Sequence, residues 1–367
     1  MKIKKATARY EKWLARHIDI VEQDLALKHQ LMAKEVFPFL RATYYRWAQV
    51  FPEACKEAAE APEVLAVGDL HVENFGTWRD GEGRLVWGVN DFDEAFPLPY
   101  TNDLIRLAAS VHFAAHGNRL AIHLKDAAAA LIAGYSESLA KGGEPFVLGE
   151  RHHWLRELAG AGLRDPAAFW KKLDSLSTVE EVPRPARAAV EKVLPERDLA
   201  LRWVHRVAGL GSLGRERWVA LAEWRGGRLA REAKASAPSA VLFAEGEKDG
   251  PSHYEEIVEE AVRAPDPLVR VRDGWTVRRL SPDCARVELA DLPKARDEQK
   301  LLHAMGWETA NIHLGTRGAA KAIQKHLKTL PPDWLVESAH KMAEAVDSDW
   351  NAWKAEPEKE STEAAVQ

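Results

Sequence analysis

Two short stretches carry residue types suited to phosphate chemistry. The first is Gly68-Asp69-Leu70-His71-Val72-Glu73-Asn74, and the second is Asn90-Asp91-Phe92-Asp93. Phosphoryl transfer leaves a protein little covalent work, so catalysis rests on positioning and charge neutralisation. It needs a carboxylate beside the attacking hydroxyl that the metal does not consume. It also needs hard oxygen ligands for Mg²⁺, from one or two carboxylates plus the substrate phosphates. Taken singly, Asp69 and Asn74 also suit turn caps, as Asp and Asn often do. The aspartates at a second strand end favour a metal–phosphate site.

The elements around these residues can be read from pattern. Val64-Leu65-Ala66-Val67 reads as a buried strand, and Gly68 lets the chain turn sharply after it. Leu85-Val86-Trp87-Gly88-Val89 reads as a second strand. Asp80-Gly81-Glu82-Gly83 between them is turn chemistry, so these two strands are expected to pair as a hairpin. The polar groups then lie at strand ends and in a loop. Residues 8–60 read as helical, as do 101 to about 194 and about 295 to 353. Between the last two lies a β-rich block. Its strands are expected at 202–208, 217–224 and 228–234. After a helical piece over 254–263, Leu268–Arg272 and Trp275–Leu280 flank the two-residue turn Asp273-Gly274.

The first two strands of this block enclose Gly209-Leu210-Gly211-Ser212-Leu213-Gly214. A dinucleotide fingerprint would require a helix straight after the last glycine. A strand follows here, and Lys234 lies on the next one. Strand, glycine loop, strand and lysine-bearing strand is the small-lobe arrangement of protein kinases, in which the loop covers the phosphates and the lysine pairs with them. The lysine then needs a glutamate on the following helix. Glu255, Glu256 and Glu259 are candidates, and Glu256 is favoured. Taken alone, the loop also reads as a β-turn, with Lys234 and the acidic helix as solvated surface.

The order is reversed relative to ordinary kinases, because the glycine loop follows the Asp69 segment. A circular permutation explains this, and it is tolerable where the old termini lay close on the surface. The expected organisation is an α+β, kinase-like two-lobed fold. Residues 1–198 carry the helical large-lobe part with Asp69 and Asp91. Residues 199–285 form the β-rich small lobe. Residues 286–355 supply the hinge, placed over 282–294, and the C-terminal helices. Residues 356–367 form a disordered tail.

The chain resembles the bacterial family catalogued as domain of unknown function 2252, which looks related to aminoglycoside and choline phosphotransferases. The resemblance is carried by Phe37–Arg41, Gly68–Gly76, Asn90–Ala95, Asp103–Ser110, Gly209–Gly214 and Ala233-Lys234. It implies that Asp69 is the catalytic base, Asn74 and Asp91 are Mg²⁺ ligands, and Asp93 is a further ligand. His71 would orient Asp69 or Asp91. Asp103 and Arg106 would brace the loop, or else act as a helix cap and a surface charge. Arg41 suits a phosphate or a salt bridge. ATP and Mg²⁺ are the implied cofactors, and the acceptor is undefined. Nucleotidyl transfer on the same residues and a non-catalytic pseudokinase are alternatives. A binuclear metallophosphoesterase is more distant, because beyond Asp69 and His71 only His116-Gly117-Asn118 resembles its second ligand element.

Bulk numbers bound the rest. The 367 residues can bury a sizeable core. A formal net charge of −5 gives no basic footprint for nucleic acid. Two cysteines, Cys55 and Cys284, argue against a disulfide framework and fit a reducing compartment. The amino terminus lacks the apolar core of a signal peptide, and no run suits a membrane span. A cytoplasmic location is expected. His112 and His116 share a helix face without a third ligand and read as structural.

Overall fold

The computed structural model describes residues 1–149, 151–162, 165–284 and 298–355. The expected tail over 356–367, and the expected hinge beyond residue 284, lie outside the described residues.

The chain opens with α1 (Ile3–Leu14), α2 (Glu22–Lys34), α3 (Val36–Ala42), α4 (Tyr44–Ala54) and α5 (Lys56–Ala59). Helix α1 buries Ile3, Ala6, Tyr10, Trp13 and Leu14, an apolar stripe at helical spacing. Then come β1 (Glu63–Ala66), β2 (Phe75–Arg79), β3 (Leu85–Val89) and β4 (Phe96–Pro99). The expected turn exists: Asp80 Oδ1 accepts from the amides of Glu82 and Arg84, and Gly83 takes φ +75°. The partner of β3, however, is β2, in the register Phe75↔Val89 and Thr77↔Trp87. Strand β1 pairs instead with β4, Val64↔Leu98. The physical reason sits at Gly68. Its φ is +79°, and a Cβ there would lie 2.4 Å from the Glu94 carbonyl oxygen. The chain is thus forced away from the line of β1 before it re-enters as Phe75-Gly-Thr-Trp-Arg, a run whose glycine and polar residues hide its strand character.

Next are α6 (Tyr100–His116), α7 (Leu124–Lys141), β5 (Phe146–Val147), α8 (His153–Gly162), α9 (Pro166–Asp174) and α10 (Arg184–Glu191). Helix α6 is buried along its whole first three turns and forms the centre of the main core. The β-rich block follows with β6 (Arg202–His205), β7 (Arg217–Trp224), β8 (Gly227–Ala235), α11 (Ala240–Glu245), α12 (Tyr254–Glu260), β9 (Arg270–Arg272) and β10 (Trp275–Leu280). Its antiparallel sheet runs β6-β7-β8-β10-β9. The β9–β10 turn has Asp273 and Gly274 both at positive φ, as a two-residue type I′ turn requires. Helices α13 (Glu298–His313), α14 (Ala319–Leu327) and α15 (Trp334–Ala355) complete the described chain.

The protein is therefore mixed α+β. One large core joins the amino-terminal helices, the β2–β3 hairpin, α6, α7 and α11–α15. Two smaller cores lie on opposite faces of the five-stranded sheet. Ala186, Ala189 and Val190 of α10 pack with Trp203, Ala233 and Trp275 on one face. Phe169 and Leu173 of α9 pack with Val219, Ala230 and Leu280 on the other. Helices α9 and α10 thus pack against the two faces of this sheet. Among the described residues, no helix is long and apolar enough to cross a membrane.

Candidate functional site

Helix α6 builds the first half of the site. The fully buried Asp103 carboxylate accepts from the amides of Val67, at 2.7 Å, and Gly68, at 2.9 Å, and from His313 Nε2 at 3.0 Å. Asn102 Nδ2 donates to the Gly68 carbonyl, and Ser110 Oγ accepts from the Val72 amide. One turn beyond Asp103, Arg106 donates through Nε to Asp69 Oδ1 at 2.7 Å and through Nη2 to the same oxygen and to the Leu40 carbonyl. Its guanidinium lies 4.9 Å from the Tyr44 ring centroid and 4.8 Å from that of Trp47. Of the two readings of Asp103 and Arg106, the structure selects the brace: both are fully buried.

Inside the loop, the His71 amide donates to Asn74 Oδ1 at 2.7 Å, and His71 Nδ1 accepts from the Glu73 amide. His71 is buried, edge-on to Phe37. Arg41 pairs with Glu73, the salt-bridge alternative for that arginine. The Asn90 amide donates to the Asn74 carbonyl at 3.0 Å, which ties the two chemical stretches together.

The second half comes from the segment after β3 and from the five-stranded sheet. Asp93 forms an ion pair with Lys234 of β8 and lies 3.4 Å from Arg215 Nη1. Asp91 is 35% exposed and 3.9 Å from Lys234 Nζ. Glu94 accepts from the Ala240 amide at 2.6 Å and faces Arg215. The expected Lys234–Glu256 pair is absent: Glu256 is exposed and bonded to His253, while Glu255 accepts from the Val271 amide. The physical reason is that Asp93 reaches Lys234 directly across the cleft. The same contact makes Asp93 the lysine's counter-ion and leaves Asp91 as the more open carboxylate.

The glycine loop closes the arrangement. Gly209 and Gly214 take φ +76° and +95°. A Cβ on Gly211 would lie 3.0 Å from the Arg41 carbonyl oxygen and 3.8 Å from Asp69 Oδ2, so the loop rests on the Asp69 segment. Lys28 of α2 donates to the Gly211 carbonyl at 2.9 Å, the Val21 amide to the Gly214 carbonyl at 2.8 Å, and Arg217 Nη2 to Ser212 Oγ at 2.7 Å. Asp69, His71, Asn74, Asp91, Asp93, Gly209, Gly211 and Ser212 consequently line one narrow cavity of about 50 Å³. A cleft of about 450 Å³ adjoins it, sharing Asp91 and Gly209 and lined by Lys234, Arg206, Arg217 and Arg278, with Phe169, Leu173 and Leu280 at an apolar end.

Burial and charge set the protonation of these groups. Burial lifts the Asp69 carboxyl to about 6, although Arg106 pulls it down. Burial likewise lifts Glu94 to about 7 against Arg215. Burial also disfavours ionised Asp93, yet Lys234 and Arg215 together outweigh it and hold this carboxyl below its ordinary range. Burial lowers the Lys28 ammonium to about 8, helped by Arg215.

A divalent cation fits the donor set in part. Asp91 offers a carboxylate open to both cavities. Asn74 Oδ1 keeps one lone pair beside its bond to His71. Among the described residues, no three His, Cys, Asp or Glu side chains form a ready-made metal cage. His116 and Asn118, with His112, line a separate surface pocket away from Asp69.

Sequence reasoning does not single out Lys28, Glu94 or Glu232 as site residues. Glu232 had one signal: it alternates with Lys234 and Ala230 on one face of β8, so a charge occupies an inward position.

A family model described as an uncharacterised protein conserved in bacteria (DUF2252) matches residues 20–156 and 177–356. The chain belongs to that family. No significant match occurs among curated proteins or solved structures.

Proposed function

We propose that this protein is a kinase-like phosphotransferase that uses Mg²⁺–ATP to phosphorylate a hydroxyl-bearing acceptor. The observation that carries this reading is the convergence of Asp69, Asn74, Asp91 and the glycine loop on one cavity, from segments more than a hundred residues apart. Three further features agree with it: a glycine loop between the first two strands of the sheet, a lysine on the third, and an ion pair from that lysine to Asp93, in the segment after β3 that also carries Asp91. The reversed chain order suits a circularly permuted two-lobed fold.

In this reading Asp69 takes the acceptor proton. Arg106 holds Oδ1, so Oδ2, the oxygen facing Gly211, is left for the hydroxyl. A carboxyl near 6 is a better base at neutral pH than an ordinary aspartate. Asp91 and Asn74 would hold Mg²⁺, which when bound neutralises phosphate charge. Lys234 and the amides of the glycine loop would hold the phosphates, and the apolar end of the cleft would take the base.

The test is a thermal-shift titration with ATP and Mg²⁺, separately and together. A ligand that binds only the folded state raises the melting temperature. Added Mg²⁺ should enlarge the ATP shift, and Asp91→Ala should remove that increment. Asp69→Asn should keep the shift and lose ADP formation. No shift with any nucleotide overturns the proposal.

A further inference from the structure

The inward face of the five-stranded sheet carries a cationic cluster that one lysine's role does not explain. Glu232, fully buried on β8, accepts from Arg217 Nη1 at 2.7 Å, Arg206 Nη1 at 2.5 Å and Arg278 Nε at 2.7 Å. One carboxylate therefore gathers three guanidiniums, two more than its charge needs. The register explains the meeting: Val219 of β7 and Arg278 of β10 both stand opposite Glu232, and the Arg206 amide bonds the Arg217 carbonyl. Arg217 spends its second Nη on Ser212 of the glycine loop. Arg206 and Arg278 stay 20% and 33% exposed and line the 450 Å³ cleft.

A second, independent feature lies in the same cleft. The Arg263 guanidinium is held 4.7 Å from the ring centroids of both Trp78 and Phe92, with Nη2 bonded to the Val89 carbonyl. Its Nε and Nη1 are buried and have no hydrogen-bond partner among the described residues. Lysine and arginine side chains outnumber carboxylates in this lining by seven to two. Such an excess, carried on fork-shaped donors, is matched by phosphate oxygens.

We infer that Arg206 and Arg278, organised by Glu232, form a pyrophosphate-binding subsite beyond Lys234 that holds a diphosphate group without a metal ion. The subsite deepens the phosphotransferase reading and rests on it only for the owner of that group, a nucleotide polyphosphate. The anion site itself follows from the guanidiniums.

The experiment uses the full chain, EDTA and inorganic pyrophosphate, with inorganic phosphate as comparison, read by calorimetry and thermal shift. Wild type should bind pyrophosphate, and more tightly than phosphate. Arg278→Met and Arg206→Met should each raise the pyrophosphate Kd roughly tenfold to a hundredfold, the size of a lost charge-assisted bond. If Arg278→Met unfolds, Arg278→Lys serves instead. It keeps a positive charge beside Glu232 but loses the fork, and should bind more weakly than wild type. Absence of pyrophosphate binding in EDTA overturns the inference, as does binding unchanged in all three variants. A Mg²⁺-dependent ATP shift alongside no pyrophosphate binding would remove the subsite and leave the phosphotransferase reading intact. Pyrophosphate binding without any Mg²⁺-dependent ATP shift would do the reverse.

Discussion

Replacing Arg106 by methionine should expose the electrostatic balance on which Asp69 depends. In the native protein the Asp69 carboxyl stands at about 6, raised by burial and restrained by Arg106. Without the guanidinium it should rise further. At pH 5 the carboxyl is mostly protonated in both proteins, so the variant loses the ring contacts with Tyr44 and Trp47, the bond to Leu40 and the hydrogen bonds to a neutral Asp69, about 1–2 kcal/mol net of the guanidinium's own desolvation. Above pH 6 the native Asp69 ionises while the variant's does not. The folded variant then retains a proton that native and unfolded chains have released. Its relative cost should therefore grow by about 1.4 kcal/mol per pH unit, until its own raised pKa is reached. By pH 8 the total should approach about 4 kcal/mol, in the range for breaking a buried ion pair. Urea denaturation of wild type, Arg106→Met, Asp69→Asn and the double variant at pH 5 and pH 8 measures this. A cost equal at both pH values, or a pH-dependent cost that persists when Asp69→Asn is also present, refutes the reasoning.

Two further outcomes concern the frame. Burial lifts the Glu308 carboxyl to about 7 against Arg263, while its oxygens accept from the Val89 amide and Asn311 Nδ2. The folded state thus binds an extra proton between the ordinary glutamate value and pH 7. Native stability should fall by up to about 3 kcal/mol as pH rises through that window. Glu308→Gln should flatten this fall in thermal melts taken from pH 4.5 to pH 8, and an unchanged slope would count against it. Gly134 and Gly306 let α7 and α13 meet backbone to backbone: a Cβ on Gly134 would lie 1.9 Å from the His303 carbonyl oxygen. Gly134→Ala should lose about 1–3 kcal/mol, as overpacked sites do, despite alanine's better helix propensity. Gly81→Ala, with nothing within 4 Å, should change the melting point little.

That Asp69, Asn74, Asp91 and the glycine loop stand out as candidates was legible because their types and local spacing are unusual together, and the fold brings them to one cavity. Strand, loop and turn over 202–280 were legible because alternation, glycines and the Asp273-Gly274 turn are local signals. Pairing was not. The choice of β2 over β1 as the partner of β3 depends on how Gly68 directs the chain, and no hydropathy pattern records that. The partner of Lys234 escaped for a similar reason. Spacing ranks Glu255, Glu256 and Glu259, whereas the contact with Asp93 is made across the cleft from a segment 141 residues away. Asp103 and Arg106 had two readings, and only burial separates a brace from a cap. The arginines around Glu232 are spread over residues 206–278, so their convergence exists only in the sheet register.

The hold of α2 on the glycine loop also has a consequence in time. Lys28 and the Gly211 carbonyl that accepts its hydrogen bond are separated by 183 residues. At usual ribosomal speeds that interval takes roughly ten to forty seconds to synthesise. For most of it the Asp69 segment already exists, and the loop that covers it does not. Asp93 likewise waits for its cations, since Arg215 and Lys234 follow it by 122 and 141 residues, whereas Asp69 meets Arg106 only 37 residues on.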